Sequence, residues 1–239
     1  MIGGRRTERP EPREEFVGGG RITAITDQVH DPERVSISLD GAFAFGLSRE
    51  VAATEALAVG DELDPARVAS LRGADEAAKA TTAALAFLAT RPRSEQEVRR
   101  RLLQKGFASG AIEATISRLY DWRYLDDADF ARRWVEQRAT YHPRGRRLLQ
   151  HELHHKGIDR QTVEATIGAA DLDEAAAALE LARGKIRSYH GLEPAVARRR
   201  LGAFLARRGY NWDIVRQTLD AVTRQMPDDD GESAEQSQI

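Results

Sequence analysis

The sequence predicts a mainly α-helical protein, with three tandem three-helix, helix-turn-helix-like repeats in an elongated solenoid behind a small β-rich N-terminal extension. Two observations carry this reading. Gly106, Gly157 and Gly209 stand 51 and 52 residues apart, and the apolar residues around them keep one register in all three copies. The hydrophobic period also changes along the chain, from alternation before about residue 65 to helical spacing beyond about residue 75.

Residues 1–20 carry mixed charge, two prolines and Gly18-Gly19-Gly20, too little apolar surface to bury, and read as a tail. In RVSISLDGAFAFGLS, Val35, Ile37 and Leu39 alternate with small polar residues, and Phe43, Phe45 and Leu47 alternate with Ala and Gly, around Asp40-Gly41. A strict two-residue turn would send the phenylalanines to the face opposite Val35. A three-residue loop or a bulge would bring all six together, and the need for one buried face favours it. Arg21–Thr26 and Asp61–Leu63 add short strands, with Ser48 as N-cap of a helix running to about Leu57. The extension is taken as residues 21–72.

The repeats follow, at 73–123, 124–171 and 172–225. Counting from each glycine, position −8 holds Val98, Leu149 and Leu201, and position −4 holds Leu102, Leu153 and Leu205. Position +1 holds Phe107, Ile158 and Tyr210, position +6 Ile112, Val163 and Val215, and position +10 Ile116, Ile167 and Leu219. The −8/−4 pair is a stripe on one helix and the +6/+10 pair a stripe on the next, so each unit contains a helical hairpin around its glycine. Lys105, Lys156 and Arg208 precede the glycines, the arrangement of a helix ending in a left-handed residue with a cation on its last carbonyls. A third helix precedes each hairpin, at Asp75–Ala89, Asp126–Tyr141 and Asp173–Ser188, each opening on an acid. Units of this size bury their stripes best by stacking. Residues 226–239 form an acidic tail.

Composition bounds the function. The chain has no cysteine, which excludes disulfides, thiolate zinc sites and a cysteine nucleophile. Without a secretory signal or an apolar run of about 18 residues, the expectation is a cytoplasmic monomer that does not enter a membrane and needs no cofactor. The net charge of −2 conceals segregation: residues 91–158 hold 15 Lys and Arg against 9 Asp and Glu, and residues 183–224 hold 10 against 3. Such blocks point to a polyanionic or mixed partner.

The string HELHHKG, 151–157, matches the zinc-peptidase pattern H-E-x-x-H through His151, Glu152 and His155. The repeat register argues against it. Those letters fall at −6, −5 and −2, where the sibling units carry Arg100, Arg101 and Gln104, or Ala203, Phe204 and Arg207. Lys156 adds a cation, and no third histidine follows at metzincin spacing. A solvated, partly basic helix face is the preferred reading, with metallopeptidase a remote alternative.

Three strings in order, RPRSEQEVRRRLLQKGF (91–107), YLDDADFARRWVEQRA (124–139) and GRRLLQHELHHKGI (145–158), resemble the RecX family, regulators of the bacterial recombinase RecA. The similarity spans residue 21 to about 222 and includes VSISLDGAFAFGLS, like the strand-rich extension of many members. The resemblance implies a non-enzymatic protein that binds RecA and lies along the groove of the RecA filament on single-stranded DNA. There it would inhibit ATP hydrolysis, strand exchange and co-protease activity, and so affect recombinational repair and the SOS response.

The residues expected to carry such contacts are cations on the hairpin helices. They are Arg99, Arg100, Arg101 and Lys105 in the first unit; Arg144, Arg146, Arg147 and Lys156 in the second; and Arg198, Arg199, Arg200, Arg207 and Arg208 in the third. Arg132 and Arg133 on the helix before the second hairpin join them. Positions −11 and −10 are arginine in both later units (Arg146-Arg147, Arg198-Arg199), so part of the patch recurs. Phe130, Trp134 and Tyr141 share a helix and are expected to pack rather than stack on bases; Trp122, Tyr124 and Trp212 are expected to pack at unit junctions. A duplex-DNA regulator built on helix-turn-helix units is the main alternative. The helices after each glycine, ASGAIEATISRL and DRQTVEATIGAA, carry few base-reading side chains against it.

Overall fold

The structure, a computed structural model, describes residues 18–224. Both predicted tails fall largely or wholly outside that range. Two compact units divide the chain: the stretch up to Arg91 with Arg99–Trp122, and Pro92–Val98 with the chain from Arg123 onward.

The first unit opens on an antiparallel sheet of β1 (Gly20–Gln28), β2 (Asp31–Leu39), β3 (Ala42–Ser48) and the two-residue β4 (Glu62–Leu63), in the order β3-β2-β1-β4. Asp40 and Gly41 both sit at positive φ, 50° and 84°, the geometry of the tight primed turn that suits hairpin twist. Leu39 pairs with Ala42 and Ser38 with Phe43, and then the register shifts so that Ile37 pairs with Phe45 and Val35 with Leu47. The bulge therefore exists, but it follows Phe43. Five of the six hairpin apolar residues reach the core while Phe43, on the near side of the shift, is exposed. The expectation of six on one face is corrected at that residue.

Ser48 caps α1 (Arg49–Thr54), its hydroxyl accepting from the Val51 amide. Helix α2 (Pro65–Leu88) begins ten residues before the predicted Asp75, because Asp64 caps the Arg67 amide and Pro65 fits the first helical position. Asp75 is consequently no cap. It is buried, accepts from both terminal nitrogens of Arg34 (3.0 and 3.1 Å) and from the Ser48 amide (2.7 Å), and pairs with Lys79. This cluster ties the sheet to the helix. The hairpin of the first repeat is α3 (Glu95–Gln104) and α4 (Ser109–Asp121), with α2 packed along α4.

The second repeat is α5 (Asp127–Tyr141), α6 (Arg146–His155) and α7 (Arg160–Ala169); the third is α8 (Glu174–Ile186), a short 3-10 turn, α9 (Pro194–Arg207) and α10 (Trp212–Thr223). Asp126, Asp159, Asp173 and Asn211 each cap the amide three residues on. Gly106, Gly157 and Gly209 sit at φ of 85°, 84° and 87°, and the next amide reaches back to Leu102, Leu153 or Leu205, the closing bond of a Schellman motif. Every residue of the apolar template is buried except Phe107, which is half-buried. Phe130 packs in the core of the second repeat with Trp134 stacked on it at 5.9 Å. Tyr141 and Trp212 are 72% and 70% exposed, against the expectation of packing, and Trp122 and Tyr124 are exposed as well.

Candidate functional site

Each hairpin helix has two sides that the register defines. Positions −8 and −4 point inward; positions −10, −6 and −2 lie two residues, about 200° of helical rotation, away and so face outward. The outward stripe reads Gln96, Arg100, Gln104 on α3, Arg147, His151, His155 on α6, and Arg199, Ala203, Arg207 on α9. All nine are exposed. His151 and His155 are thus the second repeat's members of a polar stripe shared by all three helices. Their spacing of four, offset by two from the leucines, was legible in the sequence as a property of the stripe rather than of a metal site.

Glu152 confirms the difference between letters and chemistry. Its carboxylate accepts from Trp134 Nε1 (2.9 Å) and Arg138 Nε (3.1 Å), and Arg144 Nη1 holds the other oxygen. A carboxylate so engaged is not a free general base. The histidines line a cleft of about 320 Å³ with Trp134, Arg138, Glu152 and Lys156. Cations crowd it: the Arg138 guanidinium lies 4.2 Å and the Lys156 ammonium 4.9 Å from the Trp134 ring centre. Among the described residues no group of three or more His, Asp or Glu is placed to hold a metal.

The predicted cations separate into two sets. In the first set, internal partners take the side chain. Arg99 holds Glu113 of α4 in a fork, with one arm at 2.8 Å, which keeps the Glu113 carboxyl below its ordinary range. Arg144 is paired with Glu152, and Lys156 bridges to Glu97 at 2.8 Å. Arg146 pairs with Glu174 and donates to the Ile167 carbonyl at 2.7 Å. Arg198 reaches Asp220 at 2.6 Å, holding that carboxyl low. The two arginines at position −11 thus both cross to the end of their repeat's last helix. Arg132 and Arg133 share Asp129 on their own helix, while Arg101 and Arg208 lie over the rings of Phe87 and Phe204. The second set is Arg100, Lys105, Arg147, Arg199, Arg200 and Arg207, exposed and without an ion pair to any described residue.

The starts of α3 and α6 share a further arrangement that sequence reasoning missed. Ser94 Oγ donates to the Lys156 carbonyl at 2.6 Å, and the Gly145 amide donates to the Arg208 carbonyl at 2.9 Å. The first helical amides, of Glu95 and Arg146, donate to Asp127 and Glu174, both at 2.9 Å. The docked turns lie so close that a Cβ on Gly157 would fall 2.3 Å from Gln96 Cβ, and one on Gly209 would fall 2.4 Å from Leu148 Cβ. One joint is therefore written twice: a helix start set against the glycine turn of the following repeat, with Ser94 donating to the carbonyl 62 residues further on. Its only local trace is the loop Pro92-Arg93-Ser94 recurring as Pro143-Arg144-Gly145.

A strand-rich extension followed by three three-helix units, with exposed cations on each hairpin, defines a tandem helical-repeat protein. Family models agree, unit by unit: the RecX N-terminal domain matches residues 20–64, and the first, second and third RecX three-helix domains match 80–119, 126–167 and 172–219. The chain belongs to the RecX family of regulatory proteins. It is 34% identical over 209 residues to the regulatory protein RecX of Bacillus velezensis, covering 87% of this chain and 80% of that one. A RecX of Clostridium botulinum is 28% identical over 202 residues, 83% and 94% of the two chains. Among solved structures, a crystal structure of a regulatory protein RecX superposes with a TM-score of 0.71 at 23% identity, covering 84% of this chain and 98% of that one. RecX from Lactobacillus salivarius gives 0.57 at 22% identity over 63% of this chain and 99% of that one. These two likenesses speak for the fold. No helix among the described residues is long and apolar enough to cross a membrane.

Proposed function

We propose that this RecX-family chain is a non-enzymatic regulator of RecA that binds RecA and its filament on single-stranded DNA and inhibits ATP hydrolysis, strand exchange and co-protease activity. One observation supports the reading beyond family membership: the outward stripe recurs on three hairpin helices and holds cations with no ion pair to a described residue, Arg100, Arg147, Arg199 and Arg207. Arginines on the same outward face of three successive hairpin helices suit a polymer that repeats its negative charge, whether as phosphates or as acidic side chains. Arg146 and Arg198 belong to the scaffold instead, so substituting them would confound binding with folding.

The test adds the chain to RecA-coated single-stranded DNA and follows ATP hydrolysis. Wild type at stoichiometric amounts lowers hydrolysis. The triple variant Arg147→Glu, Arg199→Glu, Arg207→Glu inhibits less at unchanged helical content. If the contacts are to phosphates, it also flattens the salt dependence, with roughly one unit of logarithmic slope lost per phosphate contact removed. Unaltered hydrolysis with wild type defeats the reading.

A further inference from the structure

The joint that holds α3 and α6 in place uses three components on the receiving side, and the first repeat presents all three with no helix start from the described residues set in them. The components are a carbonyl at position −1, a glycine without Cβ, and a carboxylate from the repeat's first helix. In the second and third repeats they are Lys156, Gly157 and Asp127, and Arg208, Gly209 and Glu174. In the first repeat they are Lys105, Gly106 and Glu76; Glu76 precedes its glycine by 30 residues, as Asp127 precedes Gly157.

Gly106 has the same left-handed turn, φ 85°, yet a Cβ there would meet nothing within 4 Å. The Lys105 carbonyl accepts no hydrogen bond among the described residues, where its counterparts accept at 2.6 and 2.9 Å. Glu76 turns one oxygen to the Ala108 amide at 2.7 Å, and the other accepts nothing from a described residue.

We propose that the Lys105–Gly106 turn with Glu76 is an open docking ledge that takes the N-terminal turn of an α-helix from the protein partner. The proposal rests on the reading that RecA is that partner. Two arguments select the occupant. The first is continuity: in the two filled joints the occupant is a helix start with Ser94 or Gly145 at its cap, set against the glycine. The second is electrostatic. The ledge's contact groups are acceptors, a carbonyl and a carboxylate, which match the free amides and positive dipole end of a helix N-terminus and repel phosphate. The ledge is thus a protein contact, distinct from the cationic stripe that suits a polyanion.

A second copy of the chain does not fit. The one hairpin helix not docked in a joint, α9, starts at Pro194, four residues further out than α6 does in the register. Its cap, Glu193, already accepts from the Ala195 and Val196 amides and would bring a carboxylate against Glu76.

Gly106→Asn tests this. Asparagine tolerates the left-handed conformation, so the fold is kept while the side chain fills the ledge. Gly191→Asn is the control, at φ 77° with open space around it and outside any joint. Affinity is measured separately for RecA without DNA and for a single-stranded oligonucleotide without RecA, along with thermal midpoints and sedimentation of the chain alone. Gly106→Asn is expected to weaken RecA binding at least about tenfold, the loss from one blocked hydrogen-bonded contact, and to leave oligonucleotide binding unchanged. Gly191→Asn changes neither. Glu76→Gln, which keeps the acceptor and removes its charge, gives a smaller loss in the same direction and stands in if Gly106→Asn fails to fold. Equal RecA affinity for wild type and both ledge variants overturns the ledge alone. Loss of self-association in Gly106→Asn overturns the choice of occupant. A wild type that does not bind RecA overturns the functional reading and the ledge with it.

Discussion

Replacing each repeat glycine by alanine separates two reasons for glycine at one and the same turn. All three sit near φ +85°, so alanine incurs the left-handed cost of about 1–2 kcal/mol at every position. At Gly106 nothing else is added, because the new methyl enters open space. At Gly157 the methyl lands 2.3 Å from Gln96 Cβ, and at Gly209 it lands 2.4 Å from Leu148 Cβ and 2.5 Å from the Leu148 amide nitrogen. Ordinary carbon contacts are about 3.5–4 Å, so the docked turn must retreat by more than an ångström. That retreat stretches the bond from Ser94 to the Lys156 carbonyl or from Gly145 to the Arg208 carbonyl, each worth about 1 kcal/mol, and adds overpacking of about 1–3 kcal/mol. The expected losses are about 1–2 kcal/mol for Gly106→Ala, about 3–6 for Gly157→Ala, and at least as much for Gly209→Ala, where backbone opposes the methyl. Urea denaturation followed by far-ultraviolet circular dichroism, with all variants at one pH, measures the order. Equal losses at the three glycines would mean that the turns matter only for their own conformation and that the joints contribute nothing.

Three further outcomes follow from the buried polar groups. Burial pushes the Asp75 carboxyl up, but hydrogen bonds from Arg34, Lys79 and the Ser48 amide outweigh it and leave the group below its ordinary 3.8. Its contribution is therefore present above pH 4 and lost as pH falls through the lowered value, and Asp75→Ala, which strands the mostly buried Arg34, should cost about 3 kcal/mol in denaturant titrations at neutral pH. Asp127 shifts the other way, raised above 3.8 by burial and by the nearby charges of Glu95, Asp126 and Asp159 despite the Glu95 amide. A raised carboxyl stabilises only while protonated, so its contribution disappears as pH rises from 3.8 through the raised value; Asp127→Asn keeps an acceptor for Glu95 and should leave stability equal or higher at pH 7, with the gain shrinking toward pH 4 in paired melts. Tyr210 is buried with no hydrogen-bond partner for its hydroxyl among the described residues, and burial pushes its phenol up to about 12. Tyr210→Phe should be neutral or stabilising by about 1 kcal/mol in thermal melts, and a loss above that would reveal a partner for the hydroxyl.

The fold was legible wherever one short-range rule acted alone. Positions −8, −4, +6 and +10 announce two facing stripes because burial selects apolar side chains at helical spacing. The left-handed glycines after Lys105, Lys156 and Arg208 follow from the same local geometry. Where two rules competed, the reading drifted. Asp75 looked like a helix cap, yet Asp64-Pro65 started the helix earlier, and Arg34, 41 residues away, claimed the carboxylate. Phe43 looked like a core residue, but the register shift between Phe43 and Phe45 leaves it outside. Trp212 and Tyr141 looked like packing and lie in the open. Within the candidate site, the recurrence of arginine was visible, whereas its division into scaffold and surface was not. Arg146 and Arg147 are adjacent letters; only the position of Glu174 and the Ile167 carbonyl makes the first a tie and leaves the second exposed.

By itself, then, the chain of letters determined the repeat, its period, the inward stripe and hence the outward one, since a helix with 3.6 residues per turn assigns both faces as soon as one is known. Tertiary structure alone decided which cations pair internally, that Glu152 serves Trp134, Arg138 and Arg144, and that two of the three glycine turns receive a helix start while the third receives none from the described residues. Those outcomes depend on groups from separate elements reaching hydrogen-bond distance, and a contact between elements leaves no periodic trace in a sequence.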